Sequence, residues 1–160
     1  MTGNTKKPLN IFLMGESTGH ISYVINELGI NDIILVSSIP TFERNKEFLL
    51  QLEQNGVRIH EKVTVDPFAR DSIVEISKTI LEMYKKYEQK GFDITCALTG
   101  GTNLMAIAMG LAALITGSAC HYVIFNNGEN RLVNVTCFTD IQKQMKFGDL
   151  ETTLRGGLVQ

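Results

Sequence analysis

Phe92-Asp93-Ile94-Thr95-Cys96-Ala97-Leu98-Thr99-Gly100-Gly101-Thr102-Asn103 decides the fold of this chain. Ile94 to Leu98 is an apolar run of strand length, and Thr99-Gly100-Gly101-Thr102 interrupts it. Leu104 to Ile115 then continues in Leu, Met, Ala and Ile, which are good helix formers. The order is strand, glycine turn, helix. Two adjacent glycines allow positive φ and let the backbone approach a ligand without interference from Cβ. Thr102 or Asn103 is placed to cap the helix. N–H groups left open at a helix start favour an anion such as phosphate. The same turn also serves as a plain connection in α/β domains.

Upstream, Asn10 to Met14 is a short apolar strand, and Gly15-Glu16-Ser17-Thr18-Gly19-His20 is the turn that follows it. Ile21, Val24, Ile25 and Leu28 fall on one helical face that Gly29 is placed to end. Asp32 to Ser37 is a continuous apolar strand of the kind buried on both faces of a parallel sheet. Ser38-Ile39-Pro40 is expected as a loop. Glu43 to Gln54 is expected as one helix with Phe48, Leu49 and Leu52 inward, closed by Asn55-Gly56. Val57 to Val65 alternates through Val57, Ile59, Val63 and Val65, a third strand nearer a sheet edge. Asp66-Pro67-Phe68 is expected to open a long helix to about Lys90, with Ile73, Ile76, Ile80, Met83, Tyr84 and Tyr87 as its stripe. Downstream of the glycine turn, Cys120 to Phe125 and Leu132 to Phe138 are strands joined by a hairpin turn at Asn126 to Asn130. Alternating units of this kind require right-handed crossovers. The expected fold is α/β: a Rossmann-like three-layer sandwich with a mostly parallel six-stranded sheet and a C-terminal antiparallel β-hairpin. One domain over 1–138 and a polar tail or linker over 139–160 are expected.

With 160 residues, 44% hydrophobic and 20% charged, the chain has the balance of one ordinary globular domain. Its 15 basic and 17 acidic residues leave a net charge of −2, which argues against a broad surface for duplex nucleic acid. No apolar run reaches the roughly 20 residues that span a bilayer, so no membrane partner is expected. The opening residues lack a signal-peptide core, and a cytoplasmic location follows as the expectation. Cys96, Cys120 and Cys137 form no C-x-x-C pair and are expected as buried, reduced thiols. No His/Cys/Asp/Glu cluster has metal spacing, so neither a metal nor a cofactor is expected.

In such sheets ligands bind beyond the carboxyl ends of the strands, where the winding reverses. The first and fourth strands are the usual neighbours there. The loops that follow them, Gly15 to His20 and Thr99 to Asn103, are both rich in Gly, Ser and Thr. Neither matches G-x-G-x-x-G, and G-x-x-x-x-G-K-[ST] does not occur. Gly15-Glu16-Ser17-Thr18-Gly19 matches the G-x-S-x-G nucleophile elbow, with Asp93 and His121 following in hydrolase order. The elbow belongs deeper in a larger sheet, so a serine hydrolase at Ser17 is the least favoured alternative. His20 is placed to touch a phosphate, to act as an acid or base, or only to pack in the first helical turn. His60 and His121 lie within strands and are expected as packing residues.

At these loops the chain resembles the CRISPR-associated Rossmann-fold (CARF) domains. Asp93 to Met105 is similar to their D-x-x-x-x-x-T-G-G-T-[KRN]-x-M segment. The Ser17-Thr18 loop, the Asp66-Pro67-Phe68 start and the closing hairpin extend the likeness over roughly Leu9 to Phe138. The overall pattern is most similar to the sensor half of archaeal CARF transcription regulators. The resemblance implies a homodimer that binds a cyclic oligoadenylate messenger across its two-fold axis in type III CRISPR signalling, with cyclic tetra-adenylate suiting that symmetry. It implies ligand contacts from Gly15, Glu16, Ser17, Thr18, Thr99, Gly100, Gly101, Thr102 and Asn103. The alternative it implies is a standalone ring nuclease without a metal, using some of Ser17, Thr18, His20 and Asn103. Ring nucleases of the family often carry a basic residue after Gly-Gly-Thr. Asn103 there supplies a donor without charge, so slow or absent cleavage is expected. Nothing past Phe138 is expected to form an output domain.

Overall fold

The computed structural model describes residues 5–135. The elements in order are β1 (Lys7–Leu13), α1 (Gly19–Leu28), β2 (Asp32–Ser37), α2 (Ile39–Arg44), α3 (Lys46–Gln54), β3 (Arg58–Thr64), α4 (Ser72–Gln89), β4 (Phe92–Ala97), α5 (Asn103–Thr116), β5 (Ala119–Asn126) and β6 (Glu129–Val135). The sheet order is β3-β2-β1-β4-β5-β6, parallel throughout except for the β5–β6 pair. The Rossmann-like expectation holds. The winding reverses between β1 and β4, where Lys7 to Ile11 pair with Phe92 to Cys96.

Central strands bury both faces. Leu9, Ile11 and Leu13 of β1 pack with Ile76, Ile80, Tyr87, Met105 and Ala112 from α4 and α5. The intervening Phe12, with Met14 beyond it, packs with Ile21, Val24, Leu49 and Leu52 from α1 and α3. These are the two interfaces of a three-layer sandwich. All six residues of β2 are buried. At the hairpin, Asn127 (φ 52°) and Gly128 (φ 81°) both take positive φ, the two-residue turn that Asn-Gly favours.

Four expectations need correction. Ser38-Ile39-Pro40 is not a loop. Ser38 caps α2, its Oγ accepting from Thr41 N at 3.4 Å, and Pro40 sits in the first turn, where its missing N–H costs nothing. The expected single helix from Glu43 to Gln54 is broken at Asn45, which ends α2 and precedes α3. The long helix starts at Ser72, not at Asp66. Asp66 Oδ1 instead accepts from Phe68 N at 3.0 Å, a local turn that competes with helix. Finally, β3 does not alternate evenly. Its register with β2 shifts after Ile33–Ile59, so Glu61 and not His60 faces Ile34. The bulge sends Val57 and Ile59 to the α1/α3 side and Val63 and Val65 to the α4 side. As expected, β3 is an edge strand.

Cys96 and Cys120 are both buried, and burial pushes the Cys96 thiol up to about 11. Cys137, the end of the expected sixth strand and the 139–160 tail lie outside the described residues. Among the described residues no helix is long and apolar enough to cross a membrane.

Candidate functional site at the β1–β4 switch point

The two glycine-bearing loops meet. A Cβ built on Gly15 comes within 3.1 Å of Gly101 N, so the β1–α1 and β4–α5 turns touch backbone to backbone. Gly100 and Gly101 take φ of 102° and 64°, which only glycine adopts without strain. Their missing side chains face the protein itself. A Cβ on Gly100 would collide with Leu13 O and the His20 ring, and one on Gly101 would lie 2.9 Å from the Met105 thioether. The close approach that these glycines permit is therefore first to β1 and to α5, not to an incoming ligand.

Hydroxyl and imidazole groups fix this arrangement. Thr102 caps α5, its Oγ1 accepting from Met105 N at 3.3 Å. Thr99 Oγ1 accepts from Val123 N at 2.7 Å and ties the turn to β5. His20 Nε2 donates to Leu13 O at 3.1 Å, and burial lowers its pKa. That bond straps the start of α1 to the end of β1. Ser37 Oγ donates to Met14 O at 2.5 Å, and Met14 N donates to Val36 O at 2.9 Å, which fixes the exit of β1 against β2.

Two cavities flank the Gly15–Gly101 contact and share Gly15, Glu16 and Gly101 as a common rim. The first, about 440 Å³, is also lined by Ser38, Thr41 and Arg44 from the β2–α2 region and by Pro67, Phe68, Thr102 and Met105. The second, about 490 Å³, takes Ser17, His20, Thr99 and Gly100 together with Val123, Phe125 and Asn130. Seven of the nine expected contact residues line one cavity or the other. Thr18 and Asn103 line neither: Thr18 ends the turn before α1 without a side-chain cap, and Asn103 is exposed at the first position of α5.

Arg44 was not singled out from the sequence, nor was Phe68 as a lining residue. Phe68 is 85% exposed beside the first cavity, as a loop residue and not the helix start expected of it. Arg44 Nη2 lies 3.3 Å from Glu16 Oε1 across the cavity rim. The weak signal was position, since the loop after β2 opens at the same strand ends as the two glycine turns.

The serine-hydrolase alternative does not assemble. Asp93 pairs with Pro8 near the start of β4, the far end of the sheet from Ser17. His121 is 1% exposed, with Nε2 bonded to Asn10 Oδ1 at 2.7 Å, and burial depresses its pKa to about 4. Asn127 is the one non-glycine with positive φ among the described residues, so Ser17 does not sit in the strained turn of an elbow. His121 and His60 are the packing residues expected: His121 against Phe12, and His60 between Tyr87 and Phe92 with Nε2 on Asp32 at 2.7 Å.

No family model and no curated protein matches the chain. Solved structures do. Csm6 of Enterococcus italicus, bound to cyclic hexa-2′-fluoro-hexa-dAMP, superposes with a TM-score of 0.68 at 9% identity, over 87% of this chain and 45% of that one. Protein VC1899 of Vibrio cholerae gives 0.62 at 9% identity, over 80% of this chain and 36% of that one. Can2 of Sulfobacillus thermosulfidooxidans, in complex with cyclic tetra-adenylate, gives 0.55 at 19% identity, over 78% of this chain and 36% of that one. The chain spans less than half the length of each. At these identities the likeness is one of fold, and in this chain that fold is a mostly parallel Rossmann-like sheet closed by an antiparallel hairpin.

Proposed function

We propose that this chain is a CARF-type sensor that binds a cyclic oligoadenylate at the crevice beyond β1 and β4. The observation that carries the reading is the meeting of the Gly15 and Gly101 turns, with a cavity on either side. Phosphates would lie along the turn amides and the start of α5, and bases would enter the flanking cavities. Two of the similar structures hold cyclic adenylates, a tetramer in Can2 and a hexameric analogue in Csm6. That supports the ligand class, and the names Can2 and Csm6 point away from the transcription-regulator branch.

The working unit proposed is a homodimer. Leu104, Ile107 and Leu111 share one face of α5 and stay exposed, Ile107 by 50%, while Met105, Ala108, Met109 and Ala112 are buried on the other. A second copy covering that face would bring two Thr99–Asn103 turns together, and four-fold cyclic tetra-adenylate fits such a two-fold site. Asn103 brings no charge and lines neither cavity, which favours binding over ring cleavage.

Labelled cyclic tetra-adenylate incubated with pure protein tests this. Bound, intact nucleotide after hours is expected. Linear products ending in 2′,3′-cyclic phosphate would instead establish a ring nuclease. Absence of binding to cyclic tri-, tetra- and hexa-adenylate would overturn the reading.

A further inference from the structure

Arg44 is the one Lys or Arg that lines either cavity at the switch point, among the described residues. It is the last residue of α2, and the next residue ties that helix end in place. Asn45 Nδ2 donates to Thr41 O at 2.9 Å and to Gly15 O at 3.4 Å, pinning the end of α2 to the β1–α1 turn. Arg44 thereby stands on the wall of a cavity whose other members include Gly101 and Thr102. Among the described residues its guanidinium is engaged at the rim by Glu16. That pair is open to water, with side chains 58% and 85% exposed. Exposed pairs of this kind are weak and readily exchanged.

We propose that Arg44 is the phosphate-binding cation of this site, and that Glu16 is a surrogate anion which a ligand phosphate displaces. The inference rests on the nucleotide-binding reading given above and names the charge that reading lacks, since the turn itself supplies only neutral donors. A guanidinium offers two parallel donors to a phosphodiester, a geometry an ammonium does not match. The cavity lining also includes the apolar Pro67, Phe68 and Met105, with Phe68 presenting an exposed ring beside the cavity. Cation and ring together suit a nucleotide better than a bare inorganic anion, because the ring offers a stacking surface for a base. Glu16 then has a second effect. Left in place, its carboxylate repels the incoming phosphate, so binding requires it to swing outward, which its exposure allows.

The test is a titration of cyclic tetra-adenylate against the parent, Arg44→Gln, Arg44→Lys and Glu16→Gln at several salt concentrations. Thermal unfolding of each variant confirms that it is folded. Arg44→Gln is expected to weaken binding about 10- to 100-fold, the range for a lost hydrogen bond to a charged group, and to flatten the salt dependence. Arg44→Lys is expected to recover part of the loss. Glu16→Gln is expected to tighten binding about two- to fivefold. A folded Arg44→Gln that binds within about twofold of the parent overturns the proposal and leaves the sensor reading intact. So does a Glu16→Gln that weakens binding as much as Arg44→Gln, since the pair would then be a structural tie. A parent that binds none of cyclic tri-, tetra- or hexa-adenylate removes both at once, and the two failures are thus told apart.

Discussion

Replacing Asp32 by Asn should destabilise the domain by about 2–3 kcal/mol at neutral pH, although Asp32 lies at the end of the sheet away from the cavities. Its side chain is 2% exposed and accepts from Arg58 Nε and Nη2, both at 2.8 Å, and from His60 Nε2 at 2.7 Å, with Lys7 Nζ at 3.0 Å. Breaking a buried pair by removing one charge costs about 3–5 kcal/mol. Arg58 and Lys7 are 55% and 51% exposed and regain water when the partner is lost, which sets the value at or below that range. For a chain of this size, the corresponding fall in Tm is about 5–10 °C. The Arg58 guanidinium holds the Asp32 carboxyl well below the usual carboxylate range. The unfolded chain therefore takes up this proton first, near pH 4, and acid favours unfolding. The contribution is fully present above about pH 4 and is lost as pH falls toward the depressed folded value. Urea unfolding of parent and Asp32→Asn at pH 7 and at pH 3 reads this directly, and the gap should narrow in acid. An unchanged midpoint at pH 7, or a gap of the same size at both pH values, would refute the reasoning.

Thr102→Ala should cost about 1 kcal/mol through the lost α5 cap, lowering Tm by about 2–4 °C before any effect on ligand is counted; thermal unfolding without nucleotide measures it. Gly100→Ala should cost more than about 1 kcal/mol, because its Cβ meets Leu13 O at a positive φ, and circular dichroism melts would show it. Ile107→Glu with Leu111→Glu should convert the proposed dimer into a folded monomer, because both side chains are exposed within one protomer and would be covered only by the partner copy; sedimentation of parent and variant at tens of micromolar checks it, with circular dichroism to confirm the fold.

The parallel sheet was legible because its evidence is local and repeated. Asp32 to Ser37 is apolar at four consecutive positions, and Asn127-Gly128 permits few other turns. The Thr99–Asn103 turn was equally plain, although the sequence left Thr102 and Asn103 both open as the cap and the structure selects Thr102. What failed depended on partners distant in the chain. Pro67 is well placed to open a helix, but the Asp66 side chain captures Phe68 N, and no periodicity records that competition. The bulge at His60 is invisible in the alternation of Val57, Ile59, Val63 and Val65, because both registers place valine and isoleucine in acceptable positions. Arg44 escaped notice because a helix end rich in charge ordinarily faces water. Its relation to Gly15 exists only through Asn45, once α2 has folded back over the first turn.

The Gly15–Gly101 contact also bears on the entropy of recognition. Fixing a backbone residue costs about 1–2 kcal/mol. A site made of two independent glycine loops would incur that cost again for each residue a ligand had to order. Here the loops brace one another, through Gly15 against Gly101, Asn45 on Gly15 O and Thr99 on Val123 N. Most of the ordering is therefore met during folding. A ligand of the kind proposed would find a preformed surface, and more of its contact energy would remain available as affinity.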